Sequence, residues 1–256
     1  MSDANMVVIN DSNWTAFAND SNPTRARGYQ GMWETEGLRA AAKGFGELVN
    51  VPLIPRSEWG DRARQRESDQ TRLKDFCLGS GLTVLNQQST NYCWINAPVF
   101  CCMVTRLKET SQLVRLSPAS AGARIKNFRN VGGWGSEGLN WMVEHGVNLQ
   151  SDWPANSISR NYDTPENREK AKLNRIVEYF RLDNWDEVAS CILAGIPVAC
   201  GYNWWRHEVT GMDLTPGGDL IIANSWGNWG DQGYGVLQGS KKDPDDAVAI
   251  VSMQAA

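Results

Sequence analysis

Three residues that lie far apart in the sequence constrain the fold of this 256-residue chain most strongly: Cys93, His207 and Asn224. A thiol, an imidazole and a side-chain amide are the parts of a cysteine-nucleophile catalyst, and they work only when they meet in space. The chain must then fold so that the segment around Cys93 contacts a much later segment that carries the other two residues. Gln87, shortly before the cysteine, adds an amide that can help to bind a developing oxyanion.

The stretch that follows Cys93 is apolar at helical spacing as far as about residue 108, which predicts a helix that begins at the cysteine. A thiol at a helix N-terminus ionises more easily because the partial positive charge there favours the thiolate, and a neighbouring imidazolium adds to the effect. An isolated cysteine is more often a buried core residue. The presence of Gln87, His207 and Asn224 favours the catalytic interpretation for this one.

His207 is one of two histidines in the chain. The other, His145, precedes Gly146 at the predicted end of a helix, where an imidazolium stabilises the last carbonyl groups, so a capping role fits it better. His207 begins an apolar predicted strand, and Asn224 follows on the neighbouring strand of a hairpin. Asn224 can therefore accept a hydrogen bond from the imidazole and fix its orientation, and Trp226 can shield that bond from water.

The order of the predicted elements indicates two lobes. Helical segments dominate the region after the cysteine, whereas the last part alternates strands and turns. Strands are predicted at residues 196–202, 207–214, 220–225, 233–237 and 247–253. This order favours an α+β fold with a cleft between a helical lobe and a β-rich lobe, and residues 51–256 are the predicted main domain.

Residues 1–50 are predicted to form a separate N-terminal arm, in which a helix over residues 34–49 is weakened by three glycines. The highly charged stretch over residues 61–74 is expected to be a solvated insertion, a loop or a short helix. Three roles fit the arm: it occludes the cleft, it tethers the protein in an assembly, or it packs on the surface.

The composition argues against several classes of binding partner. The net charge is −4 and no basic block stands out, which argues against nucleic acid. No segment approaches the roughly 18 apolar residues of a membrane span, and the first residues lack a signal-peptide pattern. We therefore expect no membrane contact and a location in the cytoplasm or within a non-secreted assembly. The six cysteines show no framework or metal-ligand spacing, so we expect neither a metal nor a cofactor.

The motifs resemble those of the papain/cathepsin-type cysteine peptidases. Residues 86–94 resemble the run around that family's oxyanion glutamine and nucleophile, and residues 224–230 resemble its asparagine signature. Residues 54–59 are similar to the family's mature start, and the match covers roughly residues 51–256. The separation of Cys93 and Asn224, roughly 130 residues, lies in the family's usual range, whereas the histidine is somewhat closer to the cysteine than usual.

The resemblance implies a papain-like two-lobed fold, with a helical left lobe, an antiparallel β-barrel-like right lobe and the active-site cleft between them. It also implies hydrolysis of peptide bonds through an acyl-enzyme. In that mechanism Cys93 is the nucleophile, His207 the acid and base, and Asn224 the residue that orients it. Gln87 and the backbone N–H of Cys93 would then form the oxyanion hole.

Several positions depart from the family pattern. Thr90 and Gly133 replace the two halves of a usual disulfide, which agrees with a reducing compartment. Ser136 stands where the family has a glycine, and Glu208 follows the histidine where a small residue is usual. The predicted substrate cleft is lined by Asn91, Tyr92, Gly135, Ser136, Trp205 and Arg206. Because several of these residues differ from the family's, specificity does not carry over.

Three functions fit these features. The first is an active cysteine peptidase that acts on peptides or proteins. The second is a catalytically weak or inactive structural or interaction protein of a larger assembly, such as a virion, with assembly contacts through residues 1–50. The third is a thiol amidase that acts on cell-wall peptides or isopeptides. The glutamine and the 224–227 signature favour the first over the third.

Overall fold

The apolar strands of the C-terminal part form one mixed sheet. The structure, a computed structural model, describes residues 6–254. Within that range the sheet has seven strands: β1 Val7–Ile9, β2 Ile176–Leu182, β3 Val198–Tyr202, β4 His207–Leu214, β5 Leu220–Ala223, β6 Tyr234–Leu237 and β7 Asp246–Met253. Their order is β1-β6-β5-β4-β3-β7-β2, and only the β1–β6 pair among them is parallel.

The five strands predicted from the sequence are confirmed, each to within about two residues, which is the normal disagreement at element ends. Strands β1 and β2 were not predicted. β1 has only three residues and lies in the predicted arm, and its partner β6 comes from the other end of the chain. A strand of that length carries too little periodicity to be recognised without its partner.

The helices are α1 Trp14–Ala18, α2 Glu36–Ala41, α3 Arg56–Ser68, α4 Leu73–Gly79, α5 Cys93–Thr110, α6 Pro118–Ile125, α7 Gly135–Glu144, α8 Pro165–Ala171 and α9 Trp185–Leu193. The helix predicted to begin at Cys93 is confirmed as α5. The helix predicted over residues 34–49 is wrong in extent: α2 stops at Ala41, Ala42 is extended, and a single 3-10 turn follows at Phe45–Glu47. The charged stretch predicted as a loop or short helix lies mostly in α3.

The sheet separates two apolar cores. Side chains alternate along β3: Ala199 belongs to the core that contains α5, whereas Val198, Cys200 and Tyr202 belong to the core on the opposite face with α9. Thr210 on β4 donates a hydrogen bond to the Ala97 carbonyl, 3.1 Å away, which fixes α5 against the sheet. These contacts place the N-terminus of α5 beside the β3–β4 hairpin and give the expected α+β architecture.

The N-terminal arm runs from one edge of the sheet to the other. At its start β1 pairs with β6 at one edge. Residues 26–34, which we name the cleft segment, then lie across the N-terminus of α5, as described below. At its far end the carbonyl of Lys43 accepts a hydrogen bond from the amide of Arg181 in β2, 2.8 Å away, at the other edge. Among residues 6–254 no helix is both long and apolar enough to cross a membrane.

Candidate active site

Cys93 is the first residue of α5, so its sulfur lies at the N-terminus of a long helix. The side chain is buried and not in a disulfide. The backbone N–H of Gly28, in the cleft segment, donates a hydrogen bond to Cys93 Sγ at 3.2 Å. The arm therefore contacts the proposed nucleophile directly.

His207 and Asn224 meet as the hairpin between β4 and β5 predicts. β4 and β5 are antiparallel, Asn224 directly follows β5, and His207 Nε2 lies 2.9 Å from Asn224 Oδ1. The ring of Trp226 stacks on the imidazole with the two ring centroids 4.4 Å apart, which excludes water from the bond. The other imidazole nitrogen, Nδ1, is buried without a hydrogen-bond partner in the part of the chain that the structure describes. His207 Nδ1 can therefore accept a proton.

The Gln87 side chain is held by three contacts. Its Oε1 accepts a hydrogen bond from Ser225 Oγ. Its Nε2 donates to the carbonyl of Thr90 at 2.8 Å and to the carbonyl of Ala26, in the cleft segment, at 2.8 Å. The amide thus already binds a carbonyl oxygen, as an oxyanion-hole donor would.

The cleft segment pairs with the chain on both sides. Gly133 donates to the Gly28 carbonyl at 2.9 Å and accepts from Gln30 N–H at 3.1 Å, so that Tyr29 and Gly133 form a parallel bridge. On the other side Tyr29 N–H donates to the Arg206 carbonyl at 3.3 Å. The close approach requires glycine at position 28, because a Cβ there would lie 2.1 Å from the Asn91 carbonyl oxygen.

Four of the six residues predicted to line the substrate cleft contact the cleft segment. Asn91 and Arg206 do so as just described. Gly135 and Ser136 donate their backbone N–H groups to the carbonyls of Gly31 at 3.0 Å and Met32 at 2.6 Å. In these contacts the main domain binds an extended segment of the arm through backbone groups.

The other two predicted cleft residues lie elsewhere. Tyr92 is buried in the helical core, where its hydroxyl donates to the Arg129 carbonyl at 2.8 Å and its ring leaves no room for a Cβ at Gly122. Trp205 is buried behind the histidine, stacked on Trp204 with centroids 5.2 Å apart. Both residues were placed in the cleft by their position in the sequence, which does not specify side-chain direction.

Sequence reasoning missed the residues that fill the cleft. Gly28 and Tyr29 come from the arm, for which occlusion was one of three open roles. Asp246, which begins β7, accepts hydrogen bonds from Tyr29 Oη at 3.0 Å and from Met32 N–H at 3.2 Å. A tyrosine beside a glycine in a polar, turn-rich arm carries no signal that would have identified these contacts.

With the cleft segment in place, Cys93 and His207 are both uncharged near neutral pH. Burial raises the pKa of the Cys93 thiol to about 11, although the backbone N–H groups of Gly28 and Glu208 oppose that shift. Burial lowers the pKa of His207 to about 3, although the hydrogen bond with Asn224 acts in the other direction. Near neutral pH the site therefore holds a thiol and a neutral imidazole.

Comparisons with known proteins concern the fold. No family model matches the chain, and no curated protein matches it. Xylellain, a cysteine protease from Xylella fastidiosa, superposes with a TM-score of 0.62 at 15% identity, covering 91% of this chain and 98% of the other. Recombinant stem bromelain precursor gives 0.60 at 16% identity, covering 90% and 78%. Bromelain from Ananas comosus gives 0.56 at 20% identity, covering 71% and 98%. The chain has the two-lobed α+β fold of the papain-like cysteine proteases.

Proposed function

We propose that this protein is a cysteine peptidase whose cleft is closed by its own N-terminal arm. When the cleft segment leaves, His207 takes the thiol proton and Cys93 Sγ attacks the carbonyl carbon of a bound peptide. Gln87 Nε2 and the Cys93 N–H stabilise the resulting oxyanion. His207 then protonates the leaving amine, and a water molecule, deprotonated by His207, hydrolyses the thioester to release the acid and regenerate the thiol.

One observation carries this proposal: a peptide of the chain's own arm lies on the catalytic groups. The Ala26 carbonyl is bound by Gln87 Nε2, and the Gly28 N–H is bound by Cys93 Sγ. An N–H is not an electrophile, so the sulfur faces the wrong atom for attack. The segment is thus held as a peptide ligand that the site does not cleave.

The neutral pair favours a second candidate, an interaction protein that keeps the fold without turnover. A buried thiol with a pKa of about 11 is almost entirely protonated at neutral pH, and His207 with a pKa of about 3 is not an imidazolium. If the arm never leaves, such a site has no nucleophile. The two candidates differ in what happens when the segment is displaced.

Gly28→Ala in the full chain displaces the segment with one methyl group, because that Cβ would lie 2.1 Å from the Asn91 carbonyl oxygen. Gly46→Ala is the matched control, since a Cβ at that arm glycine meets no atom within 4 Å. The measurements are hydrolysis of a mixed fluorogenic peptide library, and alkylation of Cys93 at about pH 6 followed by peptide mass mapping.

We expect Gly28→Ala to hydrolyse peptides at least about tenfold faster than the wild type, which corresponds to about 1.4 kcal/mol of destabilised closure. Adding Cys93→Ala should abolish that activity, and Gly46→Ala should match the wild type. Selective alkylation of Cys93 without hydrolysis of any peptide would favour the interaction protein. Slow alkylation of Cys93 at the rate of the other five cysteines in Gly28→Ala would refute a working nucleophile.

A further inference from the structure

Three residues lie side by side on neighbouring strands under the cleft segment. Gly201 on β3 is the register partner of Glu208 on β4 and also of Asp246 on β7. Direct partners in antiparallel strands point their side chains to the same face of the sheet. That face is the one toward α5, because Ala199, two residues before Gly201, belongs to the core of α5.

Because the middle residue has no side chain, the row forms a slot between two carboxyl groups, which we name the acidic slot (Glu208, Gly201 and Asp246). The ring of Tyr29 fills it: a Cβ on Gly201 would lie 1.9 Å from Tyr29 Oη. Tyr29 is only 3% exposed, and its hydroxyl donates to Asp246 Oδ2 at 3.0 Å. A side chain of the arm therefore already occupies this slot.

No donor among the described residues pairs with the Glu208 carboxyl group. The residue is 0% exposed, and within residues 6–254 neither of its carboxyl oxygens makes a hydrogen bond. Burial, together with the nearby Asp246 carboxylate, raises its pKa well above the usual range, so the acid is kept neutral while Tyr29 fills the slot. An unsatisfied buried carboxyl group is costly unless a donor or a cation reaches it.

The Tyr29 hydroxyl does not meet this need, because it donates its one proton to Asp246. An ammonium or guanidinium group in the same place has several donors and a full positive charge. Such a group can form charge-assisted hydrogen bonds with the carboxylates of the slot and so favour their ionised forms. The slot is also next to the reaction centre, since Tyr29 directly follows Gly28, whose N–H contacts Cys93 Sγ.

We propose that the acidic slot is the specificity pocket of the peptidase and that it takes an arginine or lysine side chain of the substrate. This inference rests on the proposed function. Glu208 is the residue that discriminates, Asp246 is the second anchor, and Gly201 provides the space. Tyr29 is a neutral substitute that holds the slot while the arm is bound.

Substitutions of Tyr29 in the arm test whether the acidic slot binds a cation, and this test does not require catalysis. Tyr29→Arg and Tyr29→Met place unbranched side chains with and without charge in the slot of the full chain. We expect Tyr29→Arg to melt at least about 4 °C above Tyr29→Met at pH 7, and Glu208→Gln to remove most of that difference. A melting temperature for Tyr29→Arg at or below that of Tyr29→Met would overturn the inference. So would a difference that Glu208→Gln leaves unchanged.

Substrate profiling separates this inference from the proposed function. Gly28→Ala is assayed on peptides that carry arginine, norleucine or phenylalanine at each of the three positions before the scissile bond. We expect a preference of at least about tenfold in kcat/KM for arginine at one position, falling toward the norleucine value with Glu208→Gln. A preference for norleucine or phenylalanine at every position would overturn the pocket assignment while the peptidase stands. If no peptide is hydrolysed, the peptidase fails, and the melting comparison alone decides whether the slot binds a cation.

Discussion

Two regions of the arm contact the main domain in different ways. β1 is part of the fold: Ile9 is 0% exposed within a large apolar cluster, and its strand is hydrogen-bonded to β6. The cleft segment is held by backbone hydrogen bonds and by two buried side chains, Tyr29 and Met32, but Tyr29 lies in the acidic slot beside the Glu208 carboxyl group, which makes no hydrogen bond within residues 6–254. β1 resembles a core element, whereas the cleft segment resembles a bound peptide.

This difference indicates that the arm does not act as one unit. Apolar burial and strand pairing give β1 a stability close to that of the domain, so it should open only when the sheet unfolds. The cleft segment is paired through an isolated bridge rather than a strand, and it leaves the buried Glu208 carboxyl group unsatisfied, so its local opening should cost less. Substitutions in the two regions should therefore have different effects on stability and on access to Cys93.

Ionisation at the site should depend on the cleft segment alone. In the wild type at pH 8, a pKa of about 11 leaves about one Cys93 in a thousand as thiolate, and the low pKa of His207 keeps its ring neutral. In Gly28→Ala we expect thiolate and imidazolium to appear together, because water and the imidazole then reach the sulfur. The ¹³C NMR shifts of the Cys93 Cβ and the His207 ring measure both states.

The directions of the pKa shifts of Cys93 and His207 determine which protonation states the closed site holds. A thiol whose pKa is raised stays protonated until the pH approaches that raised value, and an imidazole whose pKa is lowered stays neutral down to about pH 3. The control is Val8→Ala in β1, which should show the wild-type spectrum. A neutral pair in Gly28→Ala at pH 8 would show that burial by the arm is not the cause of the shifts.

Core truncation in β1 should destabilise the whole protein. Ile9→Ala removes a fully buried side chain, and we expect a loss of about 2–5 kcal/mol in the free energy of unfolding. Val8, on the same strand, is 37% exposed, so Val8→Ala should cost less than about 1 kcal/mol. Urea denaturation followed by circular dichroism measures both. Equal, small losses would mean that β1 is a loosely attached element like the cleft segment.

We expect Arg27 to hold the cleft segment in place and to contribute less to the stability of the fold. Its guanidinium donates to the carbonyls of Phe17 at 3.1 Å and Ala18 at 2.6 Å, at the end of α1. We expect Arg27→Ala to speed alkylation of Cys93 by at least about tenfold, because losing charge-assisted bonds costs about 1.5–3 kcal/mol of closure and about 1.4 kcal/mol is a factor of ten. Arg25→Ala is the matched control, since Arg25 is 37% exposed and pairs only with Asp20 among the described side chains. An equal effect of the two variants would contradict a specific role for Arg27.

The far end of the arm should contribute least. Lys43 Nζ lies 2.7 Å from Glu178 Oε1, but both side chains are more than a third exposed. Exposed ion pairs contribute little to stability because solvent screens them, so Lys43→Ala should change the alkylation rate of Cys93 by less than about threefold. The same alkylation assay measures it. A large acceleration would indicate that closure is held from the β2 edge.

The elements that carry Cys93, His207 and Asn224 could be predicted because their sequence signals are local. An apolar helical pattern after Cys93 fixes α5, and the alternating pattern fixes β4 and β5, so the contact between His207 and Asn224 follows from a hairpin. Patterns of period 3.6 and 2 are strong over such lengths. The fold followed from these elements and from the motif resemblance.

What the sequence did not predict depends on non-local partners. Tyr92 faces the core because Gly122 leaves space for its ring, and nothing near residue 92 encodes that space. The acidic slot exists because residues 201, 208 and 246 share a row of the sheet, which requires the strand register. The path of the arm through the cleft also depends on backbone pairing. Polar and glycine-rich segments carry no sequence pattern that predicts such pairing.

The parallel pairing of β1 with β6 also covers an edge of the sheet. Without residues 7–9, the backbone groups of β6 on that side would be open to pairing with another chain, a common route to aggregation. An N-terminal truncation that opens the cleft would thus also expose an aggregation-prone edge of the sheet. Proteolytic removal of the cleft segment alone requires two cuts, one between β1 and residue 26 and one after residue 34, so that the released peptide leaves while its protective strand stays behind.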